Sequence, residues 1–114
     1  MSSNMFSDFF PDKWLKPADL NGEDACFTMR GLIREKIGRE QEERAVLEWV
    51  DDDVKPLILN RTNGKTIRKL YGDNISEWRG QRVLLYETSV EAFGETHDVI
   101  RVRDRVPEQT PIAA

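Results

Sequence analysis

Residues 55–103 read KPLILNRTNGKTIRKLYGDNISEWRGQRVLLYETSVEAFGETHDVIRVR, and this stretch decides the fold. It opens on a short aliphatic run, residues 54–59, of strand character. Residues 60–72 then change period. Ile67, Leu70 and Tyr71 stand at i, i+3 and i+4 and define one apolar helical face, while Arg61, Lys65, Arg68 and Lys69 lie outside it. Asn60 or Thr62 suits the N-cap, and Gly72 suits a left-handed residue past the C-terminus. Residues 81–90 and 96–103 return to strand composition around Ala92-Phe93-Gly94-Glu95, a hairpin tip. The stretch predicts strand, helix, strand, strand.

Working outward, residues 44–50 alternate Ala45, Leu47 and Trp49 against Val46, Glu48 and Val50, a second strand. Residues 24–37 begin with Ala25, Phe27 and Met29 at period two. Gly31 interrupts that alternation and marks a bulge or sharp bend, as glycine inside a strand often does. The full order is strand, strand, strand, helix, strand, strand. This is the order of a five-stranded, partly open barrel of the oligonucleotide/oligosaccharide-binding (OB) type, with one helix between strands 3 and 4. A five-stranded sheet with a helix on one face is the alternative architecture. Residues 13–106 form the expected OB-like domain, residues 1–12 an N-terminal arm carrying Phe6, Phe9 and Phe10, and residues 107–114 a short tail.

With 114 residues, the chain fits one domain. One cysteine, Cys26, allows no internal disulfide, which favours a reducing compartment. Residues 1–11 lack a basic segment followed by a long apolar run, and no aliphatic run is long enough to span a bilayer. The expectation is a cytoplasmic, non-membrane protein.

Net charge is −4, which argues against indiscriminate anion binding, yet the charge is uneven. Acids dominate residues 1–53, whereas seven bases and two acids fall between Lys55 and Arg82. A local field governs a ligand more than the total does.

Catalytic groups are sparse. His97 and Asp98 are adjacent in a strand and so point to opposite faces. Asp51-Asp52-Asp53 lacks the spaced ligands and closing Glu of a calcium loop and reads as a solvated turn. No Cys/His metal set and no phosphate-binding glycine loop is present. The reading is a non-enzyme without cofactor or metal.

Nucleic-acid binding is better supplied. OB-type sites place a basic groove across strands 2 and 3, flanked by the loops joining strands 1–2 and 4–5, with aromatic faces for base stacking. The expected contact residues are Arg34, Lys36, Trp49, Lys55, Arg61, Lys65, Tyr86, Phe93, Arg101 and Arg103. Alternation leaves open whether Trp49 and Tyr86 face the core or the ligand. Glu40, Glu42 and Glu43 in the first hairpin oppose phosphate. A protein-binding module is the second reading, with Phe6, Phe9 and Phe10 as the contact. Self-association through barrel edges or the arm is compatible with either.

Lys55 to Asn60, Thr62-Asn63, Leu70 to Asp73, Trp78 to Val83 and Ile100 to Arg103 carry a resemblance. Together with Trp14-Leu15 and Asp19-Leu20-Asn21-Gly22, they resemble a family of small, mostly uncharacterised phage and prophage proteins. Trp78-Arg79-Gly80-Gln81-Arg82-Val83 is also similar to the strand entering the second half of many OB barrels, with Trp78 as a core plug. The resemblance implies a phage replication or accessory setting and brings no settled activity; single-stranded DNA is the partner expected from the strand order and the basic and aromatic positions. The resemblance implies no catalytic residues.

Overall fold

The computed structural model describes residues 13–107. The elements are a 3₁₀ turn (Pro17–Leu20), β1 (Ala25–Ile37), β2 (Glu42–Trp49), β3 (Leu57–Ile58), α1 (Arg61–Tyr71), a second 3₁₀ turn (Ile75–Trp78), β4 (Arg82–Ala92) and β5 (Glu95–Val102). All strands belong to one antiparallel sheet in the order β3-β2-β1-β4-β5. The expected element order therefore holds, and the protein is mainly β with one helix between β3 and β4.

β1 is the shared spine. Its first part, Ala25 to Thr28, pairs with β4, and its remainder, Met29 to Ile37, pairs with β2. The register shifts between Met29 and Gly31, the predicted site of irregularity. Ala25, Phe27 and Met29 face the core before the shift, and Leu32 faces it afterwards, opposite Leu47. The extra residue keeps both parts of the strand turned inward as the partner changes.

The core joins Met29, Leu47, Trp49 and Leu57 to Val83, Leu85, Ile100 and Val102, with Ile67 from the helix and Trp78 from the second 3₁₀ turn. β2 buries residues of both parities near its C-terminal end. Leu47 and Trp49 point into the core, while Val46 lies on the other face between Ile33 and Ile58 and is 1% exposed.

α1 begins where the sequence places it. The Asn60 side chain accepts the Asn63 N–H at 2.8 Å. The helix ends at Gly72, which holds φ +93° and ψ 176°. That region is all but closed to residues with a side chain, and it differs from the left-handed αL cap expected. Tyr71 donates its hydroxyl to the Arg82 carbonyl, fixing the helix end against β4. Burial pushes the Tyr71 pKa up.

The sheet does not close into the expected barrel. β3 is only two residues long, since Pro56 precedes it and the chain turns into α1 at Arg61. No ladder joins β3 to β5. A side chain works at this seam instead. Asn63, 2% exposed, donates its amide to the Ile100 carbonyl (2.9 Å) and accepts the Val102 N–H (3.3 Å). These two backbone groups lie on the edge of β5 away from β4, so one carboxamide satisfies what a neighbouring strand would satisfy in a closed barrel. The chain before β1 covers the β3 side: Leu15 N–H donates to the Pro56 carbonyl at 2.9 Å, and Leu20 enters the core.

Candidate functional site

Three turns of α1 present Arg61, Gly64, Lys65 and Arg68 at i, i+3, i+4 and i+7, one face of the helix. Opposite them, the core-facing side of the β1–β2 hairpin presents Leu32 and Ala45, and the end of β3 presents Leu59. Ile75 and Trp78 close the third side. Together these residues line a cleft of about 580 Å³.

The floor is apolar and the helical rim is basic. Arg68 is paired with Asp73 at 3.5 Å, while Arg61 and Lys65 make no ion pair among the described residues. Arg34 stands opposite Ala45 on the same face of β1, and Lys36 follows two residues on. Arg34 is loosely paired with Glu43 at 3.7 Å. The helix passes close over the floor at Gly64, where a Cβ would meet the Leu59 side chain at 3.7 Å, an ordinary van der Waals contact. The arrangement suits an anionic ligand with a flat or apolar part: cations at the rim take the charge, and the floor takes the rest.

Of the expected contact residues, Arg61 and Lys65 line this cleft, and Arg34 and Lys36 share the sheet face that continues it. The other six lie elsewhere. Trp49 is a correction. It is 5% exposed, its ring packs on Phe27 at 5.4 Å, and its Nε1 donates to the Lys55 carbonyl at 3.0 Å. A ring so enclosed has no face for a base to stack on. Lys55 follows the acidic turn Asp51-Asp52-Asp53, whose three side chains are exposed. Asp51 accepts the Thr28 N–H at 2.9 Å.

Tyr86, Arg101 and Arg103 form a separate group on the outer face of β4 and β5. Arg103 lies over the Tyr86 ring at 3.7 Å and makes a forked contact with Asp24 at 2.9 and 3.1 Å. The Tyr86 ring face is therefore occupied by a cation of its own chain. The Arg103 hydrogen bond holds the Asp24 carboxyl below its ordinary value, and Asp24 in turn raises the Arg103 pKa. Phe93 projects from the β4–β5 tip, beyond the N-terminal end of β1 and away from the cleft.

Sequence reasoning passed over Arg68 and the whole apolar floor. The signal for Arg68 was present in the spacing of Arg61, Lys65 and Arg68. The floor had none, because Leu32, Leu59, Ile75 and Trp78 come from four segments. Phe6, Phe9 and Phe10 and the tail after Pro107 lie outside the described residues. Among the described residues, no three His, Cys, Asp or Glu side chains are grouped to hold a metal ion, and no helix is long and apolar enough to cross a membrane. No family model, curated protein or solved structure matches the chain.

Proposed function

We propose that the chain is an OB-type domain that binds single-stranded nucleic acid along the cleft between α1 and the β1–β2 hairpin. The observation that carries this reading is that Arg61 and Lys65, with no ion pair among the described residues, are set at one helical face above an apolar floor. Phosphates meet the rim cations, and unstacked bases rest on Leu32, Leu59 and Ile75. Double-stranded DNA, whose bases are already stacked, gains nothing from that floor. The OB assignment rests on element order, on β1 serving both halves of the sheet, and on α1 standing at the β3–β5 seam. A phage replication or accessory setting is attached on the sequence resemblance alone.

The test is fluorescence anisotropy of a labelled thirty-nucleotide strand across a salt series. Contacts from Arg61, Lys65 and Arg68 give a log–log salt slope of about −2, at about 0.7 per phosphate. Lys65→Glu weakens binding at low salt and flattens the slope. No binding at low salt, or unchanged binding by Arg61→Glu/Lys65→Glu, overturns the proposal.

A further inference from the structure

The opposite end of the molecule carries a feature that nucleic-acid binding does not use. Phe93 is 104% exposed at the tip of the β4–β5 hairpin, held there by a turn with φ +53° at Phe93 and +77° at Gly94. Over residues 87–98 the hairpin holds Glu87, Glu91, Glu95 and Asp98 and no Lys or Arg. Asp98 accepts a hydrogen bond from Ser89 at 2.9 Å, and Glu95 lies 3.7 Å from His97. Glu87 and Glu91 make no ion pair among the described residues. The tip is thus an aromatic knob flanked by uncompensated carboxylates.

The cleft is its chemical complement: an apolar floor, ample for one phenylalanyl side chain, beneath Arg61 and Lys65, with Arg68 paired to Asp73 at the same rim. The two cannot meet within one molecule. Within β1, only Ala25 to Thr28 pair with β4, which runs on past the start of β1, whereas the cleft is built on Leu32 and Ala45 toward the other end. We infer that Phe93 and its acidic flanks seat in the basic cleft of a second copy of this chain. Charge complementarity selects that occupant, since a tip bearing only carboxylates needs a basic receptor around an apolar pocket, and the chain itself provides one. The contact is heterologous. Each added copy leaves one tip and one cleft free, so assembly runs to open chains unless the rotation between copies closes it into a ring, the smallest of which is a reciprocal dimer. It also occupies the surface proposed for nucleic acid, so the two compete.

Sedimentation equilibrium of the full chain at low salt, without nucleic acid, tests this. The mean mass of the wild type rises with concentration and falls back as salt screens the charges. Phe93→Ala, a fully exposed substitution that leaves the core untouched, lowers the association constant about thirtyfold, the loss of a central aromatic anchor. Arg61→Glu/Lys65→Glu, which reverses the charge of the rim, lowers it at least as far. The decisive sample is an equimolar mixture of these two variants. One retains an intact cleft and the other an intact tip, so the mixture forms dimers and nothing larger. A wild type that stays monomeric at all concentrations, as when Phe93 serves a different partner, overturns the inference, and so does a mixture that stays monomeric. The nucleic-acid reading fails separately, because Phe93→Ala keeps oligonucleotide binding and the sedimentation experiment contains no oligonucleotide.

Discussion

Two hairpins leave β1 toward opposite ends of the molecule, and they are built alike. Each has a buried root, Met29 with Leu47 and Trp49 for β1–β2, and Leu85 with Ile100 and Val102 for β4–β5. Each then runs beyond the core: no residue from Arg30 to Ala45, and none from Tyr86 to Val99, is buried. Their charges differ. The first hairpin mixes signs and pairs them, Arg34 with Glu43, Arg44 with Glu42, and Glu35 with Lys13 from the preceding segment. Between Glu87 and Asp98, the second carries acids alone. Equal topology therefore yields one arm that neutralises itself and frames a cleft, and one that projects an unbalanced field and a bare aromatic ring. The hydrophobic roots decide where an arm stands, and the solvated residues decide what it presents.

The largest expected effect separates root from tip on a single arm. Leu85→Ala at the root of β4–β5 costs about 2–5 kcal/mol, by lost burial plus the cavity left behind. Leu47→Ala at the other root falls in the same range. Phe93→Ala at the tip changes stability by no more than about 0.5 kcal/mol. Urea denaturation of the three variants checks this. A tip variant as costly as a root variant breaks the comparison, because it means that the arm is packed.

A middle-sized effect lies at the seam. Asn63→Ala leaves the Ile100 carbonyl and Val102 N–H without a partner at the buried edge of β5, at a cost of about 1–3 kcal/mol. Hydrogen exchange sharpens the result: protection at Val102 drops, while the β1–β2 amides follow only the global loss of stability.

The smallest effect is at Asp24 and Arg103, the exposed clasp between the start of β1 and the end of β5. The folded-state pKa of Asp24 is depressed. Its contribution is therefore fully present above the ordinary carboxylate value of 3.8, and it is lost as pH falls through the lower folded value. Asp24→Asn is slightly less stable than the wild type at neutral pH, and the two converge below that window, as thermal melts across an acid series would show. A difference that persists at the lowest pH removes the clasp as its cause.

Much of the fold is legible in local patterns. The Asn60 cap, the inward Ile67 and Tyr71 and the break at Gly31 each depend on residues a few positions apart. The site is legible in part, because Arg61, Lys65 and Arg68 share a helical face whatever that helix packs on. Trp49 is not legible. Ala45, Val46, Leu47, Trp49 and Val50 are apolar at both parities, so alternation cannot assign faces. Only the pairing of Met29 with Trp49, just before the register shift, turns the indole inward, and a one-residue slip would have reversed it.

The sequence by itself determined the order of elements, the limits of α1, the bulge in β1 and the uneven charge, since turn chemistry, capping and periodicity are short-range. Tertiary structure decided what meets what. It left β3 and β5 apart with Asn63 in the seam, brought Leu32, Leu59 and Trp78 under the basic face of α1, drew Arg103 onto Tyr86, and carried Phe93 to the far end. Those outcomes depend on which edges pair and in which register, a long-range choice made by burying Met29, Leu47 and Trp49 together with Val83, Leu85, Ile100 and Val102.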